Sequence, residues 1–330
     1  MDSPKPIFLA AAAYCRNPRP SLAEGLRDCL SRVACPPERP SRVYLASILE
    51  DMAAKQVRFQ TARQTAKAPG DFLVPLIHSA WGIRPRVVRV NTACTSGATA
   101  LALAAHAIRF ENQPCGVVIG YEEKSLFDAS GFQVLQTLSR RKTMLPFTRG
   151  RDGFTLASAA GVAILSSSPR RGAIRLGGFA VTNDAHHPTG PHREGEGLQR
   201  CIRTCLACAG KEPAEVACLK LNGSGTPYSD AAEYQALKAI FGERLPAIPC
   251  YALKPRLGHL QGAAGLVETI LAARHLARGQ VPAMPAALID DLEFELSLSA
   301  RTRRLPLANC LLLYSGFGGQ NACLLLERVR

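Results

Sequence analysis

The sequence predicts an α/β fold, and three observations carry that prediction. Short apolar runs bounded by Gly, Pro or polar residues alternate with longer helical stretches along the whole chain. One such run, Arg86–Val90, passes almost at once into a helical stretch at Thr95–Phe110. The 330 residues are 47% hydrophobic and 20% charged, close to the globular average and enough for one large core or two fused ones.

In chain order, Ile7–Ala13 is apolar and Ala-rich and reads as a first buried strand. It makes a poor export signal: Asp2 and Lys5 cancel, the apolar run is short, and Tyr14 before Cys15 spoils a lipoprotein-type cleavage site. Arg86–Val90, Gly116–Gly120 and Gly161–Ser166 read as further buried strands. A stretch rich in Ser, Pro and Arg, Ser168–Gly172, marks a boundary between a half spanning 1–170 and a half spanning 171–330. The second half repeats the theme, with strands at Ile174–Val181 and Cys218–Leu221 and helices at Ala231–Ile240 and Ala263–Ala277. A closing strand pair follows at Cys310–Tyr314 and Ala322–Leu326. No low-complexity segment or short-period repeat interrupts this pattern. No apolar run is long enough to span a bilayer.

The formal charge is +14. Such a balance points first to nucleic acid, but the basic residues form no long run, aromatics are 6%, and no nucleic-acid motif is present. An acidic protein or a phosphorylated ligand is attracted equally well. The expectation is therefore a protein that binds neither nucleic acid nor membrane.

Twelve cysteines are scattered through apolar runs. Without an export signal they read as reduced cytoplasmic thiols serving as small core residues. Cys94 stands apart, in Val90-Asn-Thr-Ala-Cys94-Thr-Ser-Gly97: a strand ends, a sharp turn presents the thiol, and a helix begins. The positive end of the helix dipole is expected to lower its pKa and favour thiolate. Ala93, Ser96 and Gly97 are small enough for a substrate to approach and for backbone N–H groups to face the sulfur. The competing reading is one more buried core cysteine.

Two other clusters attract attention. Cys201, Cys205 and Cys208 have an iron–sulfur spacing, but i, i+4 and i+7 also lie on one helical face, and an amphipathic helix is the reading adopted. His186, His187 and His192 lack a suitably spaced carboxylate or cysteine partner and read as a solvated loop, so no metal is expected.

The Cys94 segment resembles the nucleophile motif of the β-ketoacyl synthases, and further segments match that family in the same order. Asn222-Gly-Ser-Gly-Thr-Pro-Tyr-Ser-Asp230 resembles its first histidine loop. Lys254-Pro-Arg-Leu-Gly-His259, with Glu268 beyond, resembles its second, and Gly316-Phe-Gly-Gly-Gln-Asn321 its glycine-rich loop. Pro146–Phe154 and Asn183–His187 match as well, making Asp184 a structural residue. The likeness runs from about Arg84 to Arg330 and is nearest to the elongating synthases. It implies a thiolase-like α/β fold, two fused αβαβα halves forming a five-layered structure.

The resemblance also implies roles. Cys94 would accept the acyl chain, with its own N–H and that of Phe317 as oxyanion hole and the Phe317 ring as gate. His259 would donate a hydrogen bond to the substrate carbonyl. Lys254 and Glu268 would form a charge network around it, with Thr226, Gly316, Gly318 and Asn321 in support. The first histidine is replaced by Asn222, which can donate a hydrogen bond but cannot carry a proton near neutral pH. Losing such a donor outright costs roughly 10²–10³ in rate. A second departure puts Ser158 where relatives carry a carboxylate.

Three functions follow from the resemblance. The first is an enzyme that takes acyl groups from carrier-protein thioesters and transfers or condenses them in a fatty-acid or polyketide type of pathway. The others are a chain-length-factor-like partner of an active ketosynthase, and a thioester hydrolase. An acidic acyl carrier protein suits the positive charge, with Arg140, Arg141, Lys142, Arg149 and Arg151 as candidate docking residues; a solvated basic face is the competing reading. No cofactor is expected, because the phosphopantetheine arm arrives with the substrate. A homodimer, or a heterodimer with a related ketosynthase, is expected through the strand nearest the cysteine loop.

Overall fold

The computed structural model describes residues 5–17, 21–48, 72–168 and 172–329. The first half runs β1 (Phe8–Arg16), α1 (Leu22–Ser31), β2 (Arg42–Ala46), α2 (Leu73–Trp81), β3 (Arg86–Val90), α3 (Ser96–Phe110), β4 (Cys115–Glu122), α4 (Leu126–Val134) and β5 (Ala159–Ser166). The second runs β6 (Ile174–Asn183), α5 (Glu196–Ala209), β7 (Leu219–Leu221), α6 (Pro227–Phe241), β8 (Cys250–Ala252), α7 (Lys254–Leu257) and α8 (Ala264–Ala277). It continues with β9 (Gln280–Val281), α9 (Ala286–Ile289), β10 (Arg303–Arg304), β11 (Asn309–Gly316) and β12 (Gln320–Arg328). The expected boundary at 170/171 lies outside the described residues, between the end of β5 and the start of β6.

Both halves are wired alike. The strand order is β3-β2-β4-β5-β1 in the first and, mirrored, β6-β12-β11-β7-β8 in the second. In each, the first strand pairs antiparallel with the last, the last antiparallel with the one before it, and the outer strands are parallel. A short antiparallel contact, Phe8 with Arg175 and Leu9 with Ile174, joins the two sheets. β4 and β5 are buried at every residue, which is why they read as unbroken apolar runs instead of alternating ones.

The middle of the molecule positions the site. Each half sends the long helix after its third strand into the layer between the sheets: α3 directly after β3, and α8 after β8 and the short α7. The two helices cross on small residues. A Cβ on Gly97 would lie 2.4 Å from the backbone N of Leu266, and one on Gly265 only 2.2 Å from that of Ala98. α3 is alanine-rich and mostly buried, with Leu103, His106 and Phe110 exposed, so its backbone can sit close to both sheets. Outside, α1 and α2 cover the first sheet through Leu26, Leu30, Leu73 and Ile77. On the far side α5 and α6 cover the second through Leu198, Ile202, Ala236 and Leu237. The result is five layers, α/β/α/β/α.

The sequence did not disclose α1, β2, α2, α4 or β8, nor the short α7, β9, α9 and β10. β8 is three residues long, too short for a period to show. α4 carries Gly131 and exposes Leu126, Phe127 and Val134, so its apolar pattern does not follow its buried face. α6 starts earlier than expected because Pro227 takes the first helical turn, where a missing N–H costs nothing.

Candidate active site

Cys94 sits on the turn between β3 and α3. Ala93 before it holds a left-handed φ of 51°, a strained conformation for a residue with a Cβ. The turn is locked by Ser96 Oγ donating to Ala93 O (2.6 Å), Thr95 Oγ1 to Thr92 O (2.7 Å), and Thr92 N to Ser96 Oγ (2.9 Å). The loop after β11 lies directly over it: a Cβ on Gly316 would stand 3.0 Å from Cys94 N. The backbone N–H groups of Phe317 and of Cys94 itself lie near the sulfur and favour its ionised form.

That enclosure corrects the expected thiolate. Burial pushes the Cys94 thiol up to about 11, and the Glu122 carboxylate adds to it; Lys254 and the two N–H groups only partly offset the rise. Glu122 is itself buried, accepting from Ser47 Oγ (3.1 Å), Ile48 N (2.8 Å) and Gly262 N (3.1 Å). Burial is the largest cause and holds the sulfur toward its thiol form.

His259 comes from the equivalent place in the other half, ahead of α8. Its N–H donates to Thr155 O (2.6 Å), its C=O accepts from Ala157 N (3.1 Å), and its ring meets the Phe154 ring edge-on at 4.8 Å. Burial, with Lys254 in support, pushes the imidazole down to about 3, so it is neutral. Gln261 N donates to Nδ1 (3.1 Å), which assigns the ring proton to Nε2. His259 is thereby a hydrogen-bond donor and a poor base.

Lys254, 2% exposed, donates to Asn222 O and Asn222 Oδ1, each at 2.9 Å, and pairs with Glu268 Oε1 at 3.2 Å. The other Glu268 oxygen pairs with Lys220 at 2.5 Å. Burial alone would raise the Glu268 carboxyl, but the two ammonium groups hold it below its ordinary value. Because Oδ1 of Asn222 is occupied, its NH₂ is the end of the amide that can donate outward.

Two buried carboxylates shape the Asn222 loop. Glu233 accepts from Asn222 N (2.6 Å) and Gly223 N (2.9 Å); Asp230 accepts from Phe147 N (2.9 Å), Gly225 N (3.1 Å) and Ser224 Oγ (3.2 Å). Burial raises them to about 7 and about 6 respectively, against those hydrogen bonds. Thr226 caps α6 and meets Ser224 Oγ at 2.9 Å. In the glycine-rich loop Gly318 adopts φ 74°. Asn321 there donates to Asp184 Oδ1 (2.6 Å) and accepts from Ser315 Oγ (2.8 Å), which ties that loop to the Asn183–His187 segment.

Cys94, His259, Asn222, Lys254 and Phe317 all line one cavity of about 800 Å³. Thr226, Gly316 and Asn321 line it too, while Glu268 is buried behind Lys254 and Gly318 is exposed outside the lining. Phe317 packs on Phe132 (5.8 Å between ring centres) and Phe132 on Phe154 (5.1 Å), so an aromatic chain runs from the Gly-rich loop to His259.

Several placements differ from expectation. Arg151 does not belong to a docking face: it is nearly buried, paired with Glu293 and set over the Phe294 ring. Arg140, Arg141, Lys142 and Arg149 are exposed, and Arg149 reaches Asp291 at 3.9 Å. His186 and His187 are exposed as expected, but they also line the cavity. Cys201 and Cys205 point into the core from α5, with Cys201 Sγ donating to Ala180 O. Ser158 lies at the chain surface side, where its Oγ accepts from Lys124 N (3.1 Å).

Sequence reasoning missed Lys220, Glu233, Phe132 and Gln261. Lys220 did leave a signal: one lysine inside an apolar three-residue strand must find a buried anion. Asp230 and Glu233 are three apart on a helix and so share a face. Phe132 left none.

Comparison with known proteins adds to this geometry. The family model described as the β-ketoacyl synthase N-terminal domain matches residues 45–170, and the β-ketoacyl synthase C-terminal domain matches 174–287. A 3-oxoacyl-[acyl-carrier-protein] synthase 2 of Staphylococcus aureus (strain COL) is 29% identical over 304 residues, covering 88% of this chain and 69% of the relative. Among solved structures, a ketosynthase in complex with its chain length factor from Xenorhabdus doucetiae aligns over 98% of both chains, with TM-score 0.79 and 22% identity. A type II PKS acyl-carrier protein in complex with its ketosynthase aligns over 99% of this chain and 100% of that one, with TM-score 0.84 and 19% identity. The fold is thus that of the thiolase-like ketosynthases, and, with matches spanning both halves around one shared cavity, the chain belongs to the β-ketoacyl synthase family.

Proposed function

We propose that the protein takes an acyl group from an acyl-carrier-protein thioester onto Cys94 and condenses it with a second carrier-bound unit. The observation that carries this reading is that Cys94, Phe317, His259 and Asn222 line one cavity, with the loop bearing Phe317 set directly over the Cys94 backbone N–H. The Cys94 and Phe317 N–H groups suit the oxyanion of a tetrahedral intermediate.

In the first step Sγ bonds to the acyl carbon, the carbonyl–pantetheine C–S bond breaks, and the thiol proton leaves on the released pantetheine sulfur. In the second, a carboxylated extender loses CO₂ and its α-carbon bonds to the acyl carbon. The Cys94–acyl bond then breaks, and the sulfur takes a proton from solvent. His259 Nε2–H and the Asn222 NH₂ hold the extender carbonyl while charge builds on it. No metal or cofactor enters the scheme. The carrier docks on the exposed basic residues Arg140, Arg141, Lys142 and Arg149, the chain works in the cytoplasm, and two ketosynthase-type chains associate along β3.

The test is the intact mass after incubation with an acyl carrier protein charged with an acyl group. The mass should rise by one acyl unit and should not rise in Cys94→Ala. Malonyl-dependent carbon–carbon bond formation is then compared between the wild type and Asn222→His. Condensation by the wild type within roughly a hundredfold of the variant supports the reading. Acylation followed only by free acid would favour a hydrolase, and no acylation without a second ketosynthase would favour a partner subunit.

A further inference from the structure

Lys254 bonds in an unusual direction. An ammonium has three donors; two of those of Lys254 go to Asn222 O and Asn222 Oδ1 (2.9 Å each), while its contact with Glu268 Oε1 at 3.2 Å is an ion pair without a hydrogen bond. The two short contacts are to a neutral residue and the long one is to the carboxylate. In a buried site the carboxylate should win, unless something else shares its charge. Lys220 does: it is fully buried, pairs with Glu268 Oε2 at 2.5 Å, and stacks over the Tyr314 ring at 3.6 Å.

We propose that Lys220 is a positioning residue that occupies Glu268 so that Lys254 stays on Asn222 and fixes its amide with the NH₂ toward the cavity. This rests on the functional reading above and deepens it. An unanchored amide can rotate to present either end, and the oxygen end would repel a substrate carbonyl. With an ammonium on Oδ1 only one orientation is favourable, and polarisation of the C=O strengthens the N–H donors opposite. Two lysines and one glutamate thereby lend a neutral amide some of the donor strength that a charged or proton-carrying side chain would have supplied. A purely structural ion pair would need only one lysine.

The experiment separates the two steps. Cys94 acylation is followed by intact mass, and the second step by mixing pre-acylated protein with a malonyl-charged carrier protein. In Lys220→Met, Lys254 should move onto Glu268, and the second step should slow by roughly 10–100-fold, more than acylation does. Adding Glu268→Gln removes the competitor and should recover most of that loss. Equal slowing of both steps, or a double variant slower than the single, overturns the proposal.

If Lys220→Met does not fold, the wild type provides the answer. Burial holds Lys220 down at about 8, with Glu268 on α8, Lys254 on α7, Glu233 on α6 and Tyr314 on β11 facing it. The second step should therefore fall above about pH 8 while acylation keeps rising; parallel profiles overturn the proposal. A wild type that never gains acyl mass refutes the functional reading instead, whatever Lys220 does.

Discussion

At the scale of single residues, the site is built from groups whose charge is suppressed. Cys94 is a thiol, His259 a neutral imidazole and Asn222 an amide; Lys254 reaches the cavity wall, while Glu268 and Lys220 sit one layer back. Because burial raises the Cys94 thiol to about 11, its thiolate fraction should grow about tenfold per pH unit between pH 7 and 9. Iodoacetamide alkylation of Cys94, read by peptide mass, should climb with that slope; a rate already level at pH 7 would mean a depressed pKa. The sequence displayed Cys94, His259, Lys254, Glu268 and Phe317 because each lies in a contiguous motif. It could not display the sign of the Cys94 shift, because the groups that act on it beside burial, Glu122 raising it and Lys254 and Phe317 lowering it, are remote in sequence. Lys220 left a signal as a lone lysine in an apolar strand, but its partner did not, because Glu268 is 48 residues away.

At the scale of elements, what matters is the crossing of α3 and α8. Gly97 and Gly265 interlock within backbone distance, and the turns that carry Cys94 and His259 lie just ahead of those glycines. Replacing Gly97 by Val would drive atoms into the backbone of Leu266. We expect a loss of about 3 kcal/mol or more, seen as a lower thermal midpoint, and slower acylation in whatever remains folded. A neutral effect would mean that the helices can part cheaply. Long buried strands such as β4, β5 and β12 were legible because continuous burial writes an apolar run. β8 and α4 were not, since one is too short and the other exposes apolar side chains such as Phe127, 60% exposed, and Val134, 81% exposed.

At the scale of the molecule, β3 stands at the end of the sheet order among the described residues, with Arg86 and Arg89 exposed and Val87 and Val88 half-buried. An edge strand offers ladder positions to a second chain. Light scattering at micromolar concentration should therefore give the mass of two chains. Val88→Asp should weaken that association by roughly a hundredfold, about 2.7 kcal/mol; an unchanged mass would place the contact elsewhere. The strand orders of the two halves are mirror copies of one plan, which sequence reading sensed only as a repeated theme because no residue pattern is shared.

That mirrored plan has a consequence for the chemistry. Nucleophile and imidazole occupy corresponding stations in two copies of one wiring diagram, so the reactive centre is owned by neither copy. Each copy supplies an incomplete half-site, and competence exists only once the two are pressed together along the seam.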